Sequence, residues 1–147
     1  MAAFEPRNAD FEAAVRAVFA AQPFSALLGA ELEHIEPGAV TIRVPFRDDL
    51  TQQHRFFHGG VLGYLADNAC GAAAGTLAPA GAAVVTVEYK LNMLTPAQGE
   101  ALRCHGRVVR AGRRLVVCQA EVLAVADGVE RACALAQATM SMQAPQD

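Results

Sequence analysis

The stretch from residue 59 to residue 78 constrains the fold more than any other part of the chain, because its pattern predicts one long helix. Apolar residues recur along it at helical spacing, and Pro79 and Gly81 follow it directly. At about 1.5 Å per residue it would be about 30 Å long, enough to cross a small domain. We expect this helix to be buried. Its apolar stripe consists of Leu62, Leu65, Ala66, Ala69 and Ala73.

Segments with the pattern of β-strands lie on both sides of this central helix. Two precede it and are joined by the turn pair Pro37-Gly38; four follow it, the last two joined by Asp127-Gly128. Such short connections predict an antiparallel sheet, which must bury its apolar face against the long helix. The expected fold is therefore α+β, with an antiparallel sheet of about six strands and one long central helix. The strands are predicted over residues 31–36, 40–46, 84–94, 101–110, 115–126 and 129–142.

A shorter helix is predicted over residues 10–22, where Phe11, Val15, Val18 and Phe19 recur at helical spacing and Pro23 ends the pattern. The 147 residues suit one domain with one core, and no repeat, linker or low-complexity tract divides them. We therefore assign residues 1–147 to a single domain.

The strand over residues 84–94 alternates regularly between apolar and polar side chains. Since successive side chains of a strand point to opposite faces, each class is expected on its own face of the sheet. The apolar face would carry Val85, Val87, Tyr89, Leu91 and Met93, and the other face Thr86, Glu88, Lys90 and Asn92.

Charge and composition narrow the possible partners. The formal net charge is −3 and Trp is absent, so nucleic acid is not an expected partner. Asp67, Asn68 and Pro79 interrupt the longest apolar tract, so no membrane span is expected. The four cysteines lie in apolar runs without a C-x-x-C spacing, and the N-terminus has no apolar signal segment. We expect buried free thiols and a cytoplasmic location.

Asp67 is the most informative polar residue of the central helix. Aspartate is unfavourable inside a helix, and a buried carboxylate without a partner is costly. One interpretation is that this helix face reaches solvent. The other is that Asp67 is a general base or nucleophile in a cleft. Its neighbours on the helix face are nearly all small, which would let a substrate approach: Gly60, Gly63, Tyr64, Cys70, Gly71 and Ala74.

The central helix starts with Gly59 and Gly60. The free N–H groups of a helix start stabilise negative charge, such as that on the oxyanion of a thioester under attack. Glycine also lets a substrate approach the backbone, although a flexible helix start is the simpler explanation. Gly59 and Asp67 are separated by about 12 Å along the helix. A second, antiparallel helix from a twofold dimer could supply the missing half of each site.

Three runs of the sequence resemble the PaaI-like hotdog thioesterases: residues 58–69, 84–97 and 108–115. This resemblance implies a hotdog fold, in which the sheet wraps around the long helix, and a homo-oligomer that is a dimer or a tetramer of such dimers. It implies Asp67 as the catalytic carboxylate, Gly59 N–H of a second subunit as oxyanion donor, and Thr86 as a hydroxyl that assists water or substrate. Gln52 stands where the family often has Asn and can still offer an amide.

Five arginines lie between residues 103 and 114, either on a solvated strand face or as ligands for the phosphates of coenzyme A. The resemblance implies that coenzyme A contacts two segments, residues 93–98 and residues 110–115. Together with His58 and Gly60 at the helix start, the expected substrate-binding residues are Met93, Pro96, Ala97, Arg110, Ala111, Gly112, Arg113, Arg114 and Leu115.

Other patterns are weaker. His54 and His58 are four residues apart but have no third ligand at a diagnostic spacing, so neither a metal nor a cofactor is expected. His58 is expected to order the loop before the helix. An acyl pocket and ordinary core packing explain Phe56, Phe57, Tyr64 and Met93 equally well.

The sequence therefore predicts an acyl-CoA thioesterase, in which Asp67 activates water or attacks the thioester itself. A hydratase or dehydratase on the same fold is one alternative, but it needs a histidine and an acid on one carbon, and His58 and Asp67 lie too far apart on one helix. A non-catalytic acyl-CoA-binding module is the other alternative. The sequence does not identify the acyl group.

Overall fold

The computed structural model describes residues 4–145, so the ends of the predicted domain lie outside the described residues. Its element order is the predicted one, with one additional short helix near the N-terminus and a 3-10 turn, Asp48–Leu50. The helices are α1 (Phe11–Ala20), α2 (Pro23–Leu28) and α3 (Gly59–Gly75). The strands are β1 (Glu31–Glu36), β2 (Ala39–Pro45), β3 (Ala83–Met93), β4 (Ala101–Ala111), β5 (Leu115–Ala126) and β6 (Val129–Gln143).

The six strands form one sheet in the order β1-β2-β4-β5-β6-β3, and every neighbouring pair is antiparallel. Helix α3 packs on one face of this sheet and contacts β2, β3, β4, β5 and β6. The predicted architecture is therefore confirmed. Strands β1 and β3 are the two edges, so β3 has a neighbour on only one side.

Helix α3 lies directly on the backbone of β4. A side chain at Gly106 would overlap the carbonyl oxygen of Ala69 and would lie within 2.8 Å of the Ala69 Cβ. The apolar stripe predicted for α3 faces this contact, with Leu65, Ala66 and Ala73 fully buried. Small side chains on both partners let the two backbones approach, and this contact fixes the height of α3 above the sheet.

The N-terminal region differs from the prediction of a single helix over residues 10–22. Helix α1 ends at Ala20, and Pro23 occupies the first turn of a second helix, α2, which was not predicted. Proline is well tolerated at this position, because its missing N–H would have no partner within the helix. Gly29 then ends α2 in the left-handed conformation, with φ of 65°.

The regular alternation predicted for β3 is wrong, because the strand contains a β-bulge. Thr86 pairs with Met140 and Glu88 with Thr139, which leaves Val87 as an extra residue. An extra residue reverses the facing of all side chains beyond it. Thr86 before the bulge and both Tyr89 and Met93 after it therefore point towards α3. The prediction had placed Thr86 on the face opposite to Met93.

The cysteines are free and buried, as predicted: Cys70, Cys104, Cys118 and Cys133. Their assignment to a reducing compartment stays a prediction. Within residues 4–145, no helix has the length and apolar character needed to cross a membrane.

The α3–β4 contact predicts a large loss of stability for Gly106→Ala. The added methyl group must displace either the α3 backbone or β4, so the free energy of unfolding should fall by roughly 2–3 kcal/mol. Gly71→Ala on α3 is the matched control. Its methyl group would meet no atom within 4 Å, and replacing glycine within a helix should raise stability by up to about 1 kcal/mol. Urea denaturation at one protein concentration measures both; equal stabilities would contradict the close packing.

Candidate active site

Asp67 and Thr86 form a hydrogen-bonded pair between α3 and β3. The Thr86 hydroxyl donates to Asp67 Oδ1 over 2.7 Å, and both residues are half-buried. No hydrogen bond from residues 4–145 reaches the second carboxylate oxygen, Oδ2. The pair lines a cavity of about 340 Å³. The carboxylate therefore lies in a cleft, which favours the functional interpretation of Asp67 over a solvent-facing helix side.

The start of α3 holds a second group of the predicted residues. His58 caps the helix, because its Nδ1 accepts a hydrogen bond of 2.8 Å from the Gly60 N–H. The His58 carbonyl accepts the N–H of Val61 over 2.9 Å. The Gly59 N–H has no acceptor among the described residues, and the Met93 side chain lies against Gly59. Gly59 thus offers an unused donor at the positive end of the helix dipole.

Gln52 belongs to the same end of α3. Its side-chain oxygen accepts the N–H of His54, so the amide is folded back onto its own loop. Its backbone N–H donates to the carbonyl of Phe56 over 3.0 Å. These hydrogen bonds order the loop before α3, and none joins Gln52 to Asp67. The assignment of Gln52 to the catalytic residues stays a prediction.

The structure separates these two groups within one chain. Gly59 and Asp67 lie on one continuous helix, eight residues and about 12 Å apart. Met93 and Pro96 lie at the Gly59 end, where both are exposed. Ala97 has a packing role there, since its side chain is buried and its carbonyl accepts the N–H of Phe57. One chain therefore presents a carboxylate half and a helix-start half.

The predicted coenzyme A segment over residues 110–115 lies at the opposite end of the sheet from Met93. Leu115 and Val85 both pair with Ser141, so the β4–β5 turn lies beyond the first residues of β3. Ala111 and Gly112 form this turn, which is closed by a 2.8 Å bond from the Gly112 N–H to the Leu115 carbonyl.

The five arginines do not share one environment. Arg103 is paired with Glu33 and Glu130, so its charge is already balanced. Within the described part of the chain, no hydrogen bond or ion pair engages the side chains of Arg110, Arg113 and Arg114, which are all exposed. Only these three remain candidates for phosphate contacts.

The aromatic residues considered for an acyl pocket have packing roles. Phe57 is fully buried and packs edge-to-face against Phe46. The Tyr64 hydroxyl donates to Ser25 over 2.6 Å and accepts from Asn68 over 2.9 Å, and burial raises the pKa of Tyr64. The cavity beside Asp67 is instead an open cleft lined mainly by α1, α3 and the start of β3.

A polar cluster joins α3 to the N-terminal helices and was missed by the sequence interpretation. It consists of Gln22, Ser25, Tyr64 and Asn68, and two hydrogen bonds of 2.9 and 3.3 Å join the side-chain amides of Gln22 and Asn68. The sequence offered little indication of this cluster, because Ser25 lies on α2, a helix that was not predicted. The cluster fixes α2 and the end of α1 beside Asp67.

Three of the four cysteines, Cys70, Cys104 and Cys133, do not offer a nucleophile. A hydrogen bond with Cys118, together with burial, raises the pKa of Cys70 far above its ordinary value. Burial raises the pKa of Cys133 to about 11. Burial also raises the pKa of Cys104, and by more. These thiols stay protonated near neutral pH. Among the described residues, no group of three or more His, Cys, Asp or Glu side chains could hold a metal ion.

A comparison with known protein families matches residues 54–130, from the loop before α3 to the start of β6, to the Thioesterase superfamily. The chain belongs to this superfamily. The resemblance to PaaI-like thioesterases and the hotdog fold are both confirmed. Thioester hydrolysis is therefore the general activity to which this member of the superfamily is assigned.

Similar proteins agree with this membership. A crystal structure of a thioesterase family protein from Silicibacter pomeroyi is 44% identical, covers 90% of this chain and 98% of its own, and has a TM-score of 0.89. A protein of Saccharolobus solfataricus, provisionally named an esterase, is 33% identical over 76% of this chain and 72% of its own length. The PaaI protein of the E. coli phenylacetic acid degradation operon is 20% identical and shows the same fold, covering 93% of this chain and 96% of its own with a TM-score of 0.82.

The capping bond in this thioesterase superfamily member predicts a measurable role for His58. His58→Ala should lower the free energy of unfolding by about 1 kcal/mol, because the Gly60 N–H loses its acceptor. His58→Asp should restore most of the loss, since aspartate also caps a helix start. Thermal unfolding followed by circular dichroism measures both. If the two variants were equally destabilised, the ring would not act as the cap.

Proposed function

We propose that the protein hydrolyses acyl-CoA thioesters to free acid and coenzyme A, with Asp67 as general base. The observation that carries this proposal is the Thr86–Asp67 hydrogen bond, which orients the carboxylate and leaves Oδ2 free beside a cavity. Oδ2 would take a proton from a water molecule as the water oxygen attacks the thioester carbonyl. The tetrahedral oxyanion then collapses and expels the thiolate. The thiolate is a good leaving group and takes up the proton held by Asp67, which restores the carboxylate.

The oxyanion needs a donor about 3 Å away, which one chain does not place beside its own Asp67. The unused Gly59 N–H of a second copy supplies this donor in the proposed dimer. Edge strand β3 is suited to form it, since four of its large apolar side chains are 42–57% exposed: Val85, Val87, Tyr89 and Met93. The other edge, β1, carries three glutamates and a register shift, which discourage pairing.

An antiparallel pairing of two β3 strands would join the two halves. With Val87 as the extra residue, a twofold axis through Lys90 would place Thr86 of one chain opposite Met93 of the other. Asp67 is bonded to Thr86, and Gly59 lies against Met93, so each Asp67 would face the start of the other α3. Two equivalent shared sites would result. Further association of such dimers gives the proposed tetramer.

The same pairing would bring the segments proposed to bind coenzyme A close to one another. The β4–β5 turn of one chain lies beyond the start of its β3, where the Met93 end of the second chain would arrive. The free side chains of Arg110, Arg113 and Arg114 suit the phosphates of coenzyme A. Met93 and Pro96 of the second chain would contact the same ligand from the other side.

The alternatives find less support in the site. A hydratase needs a histidine and an acid at one carbon, but His58 Nδ1 is already used in capping α3. A binding module without catalysis would have no need of an oriented carboxylate with a free oxygen. The two alternatives and the proposal differ in one measurable quantity, the release of free thiol from acyl-CoA.

Asp67→Asn should lower kcat for acyl-CoA hydrolysis by roughly 10²-fold or more, since an amide cannot accept the proton of water. The amide oxygen can still accept the bond from Thr86, so the fold should persist. Asp127→Asn is the matched control: Asp127 lies in the β5–β6 turn with φ of 51°, a conformation that asparagine also adopts. Thiol release measures the rates. Near-normal kcat for a folded Asp67→Asn variant would remove Asp67 from the mechanism.

Mixing two inactive variants should restore activity if the site is shared. Asp67→Asn removes the base, and Gly59→Pro removes the N–H at a position where a helix tolerates proline. Each heterodimer would hold one complete site, so statistical mixing should restore up to about a quarter of wild-type activity. The Pro variant is first shown to fold and dimerise. Verified heterodimers without activity would place the oxyanion donor within one chain.

A further inference from the structure

We propose that the cavity between α1 and α3 receives the acyl chain of the substrate and selects extended, uncharged, apolar acyl groups of about six or more carbons. This inference rests on the proposed acyl-CoA hydrolysis and adds its substrate class. The cavity has a volume of about 340 Å³ and is bounded by α1, α3 and the first residues of β3. Asp67 and Thr86 both belong to its wall, so an acyl group bound there would have its carbonyl beside the carboxylate.

The chemistry of the wall excludes charged acyl groups. Asp67 is the only charged side chain among the described lining residues, and no cationic group is present to pair with a carboxylate. The side-chain amides of Gln22 and Asn68 also line the cavity but are hydrogen-bonded to each other. Much of the remaining surface is apolar, including Val15 and Phe19 of α1. A carboxylate at the end of the acyl group would lose its hydration without compensation.

The size of the cavity calls for a group larger than acetyl. An apolar cavity of about 150 Å³ is enough to take up benzene, and this one has more than twice that volume. An acetyl group would leave most of it unfilled. Binding should therefore improve as the acyl chain lengthens, by about fourfold for each methylene that is buried.

Two glycines of α3 keep this space open. Glycine is unfavourable within a helix, and Gly71 has no packing reason to be glycine, because an added Cβ would meet no atom within 4 Å. At Gly75 an added Cβ would only touch Val15, at an ordinary 3.5 Å. Both glycines line the cavity. The missing side chains create room for a ligand on the same helix as Asp67.

The polar cluster defines the width of the cavity near the carboxylate. Gln22 follows the last turn of α1, and its amide is bonded to Asn68, the residue next to Asp67. Ser25 and Tyr64 add four more bonds to this junction. The α1 wall is thus tied to α3 at the reacting end, so the space available to the acyl chain is preformed.

Filling the cavity tests the inference. Gly71→Leu adds bulk inside it, and Ala17→Leu adds the same bulk to an exposed position of α1 outside the lining. Thiol release is measured for acetyl-, hexanoyl-, decanoyl- and succinyl-CoA. We expect wild type to prefer decanoyl- over acetyl-CoA, and hexanoyl- over succinyl-CoA. Gly71→Leu should lower the decanoyl-to-acetyl ratio of kcat/KM by ten- to hundredfold, and Ala17→Leu should not change it.

The binding of unreactive thioethers separates the pocket from the chemistry. Decyl-CoA and ethyl-CoA contain no carbonyl, so calorimetry reports their affinities whether or not the protein hydrolyses thioesters. Gly71→Leu should weaken decyl-CoA at least tenfold relative to ethyl-CoA. If Gly71→Leu loses affinity for decyl-CoA in this way, but the protein releases thiol from no substrate, the acyl pocket would be supported and the proposed hydrolysis overturned. Hydrolysis with an unchanged ratio in Gly71→Leu would overturn the pocket alone.

Gly71→Ala provides a second test in case the larger variant misfolds. Its methyl group fits the open space, and it should lower the decanoyl-to-acetyl ratio two- to fourfold. If Gly71→Leu does not fold, this smaller variant decides the outcome. Equal losses for both chain lengths in a folded variant, or succinyl-CoA hydrolysed as well as hexanoyl-CoA, would contradict the inference.

Discussion

The direct contact between α3 and the backbone of β4 determines the geometry of the rest of the molecule. Because Gly106 has no side chain, the carbonyl of Ala69 can lie against the strand. The helix is therefore held at one height, and Asp67, two residues earlier, has a fixed depth relative to the sheet. Buried alanines on the same face leave little freedom for the helix to shift. A hydrogen bond as short as that between Asp67 and Thr86 depends on this fixed position.

The bulge in β3 completes the site that the helix contact begins. An ordinary strand would point Thr86 and Met93 to opposite faces of the sheet, but the extra residue at Val87 brings both towards α3. Thr86 at one end of the strand thus bonds to the carboxylate, and Met93 at the other end lies against the start of the helix. Edge strands are frequent places for such bulges. Here the irregularity also leaves Val87 exposed at the edge proposed for dimer formation.

Much of the fold could be predicted from periodicity, since the long helix and all six strands have strong local patterns. The additional helix α2 could not, because six residues starting at Pro23 give too short a pattern. The reversal of facing in β3 was also beyond the sequence, since a bulge depends on how Thr86 and Glu88 pair with β6. Asp67 and Gly59 were identifiable because each conflicts with ordinary helix chemistry. The cavity depends on how α1 and α3 lie against each other, which no local pattern records.

The polar junction of Gln22, Ser25, Tyr64 and Asn68 has an evolutionary consequence. It attaches the α1 wall to α3 through side chains that are distinct from the Asp67–Thr86 pair. Residues of α1 that face the cavity, such as Val15 and Phe19, can then be exchanged without moving Asp67 or Thr86. In the proposed acyl pocket, the range of substrates can in this way diverge among descendants while the proposed chemistry is inherited unchanged. A duplicated copy of this gene would need only a few substitutions in one short helix to acquire a new specificity.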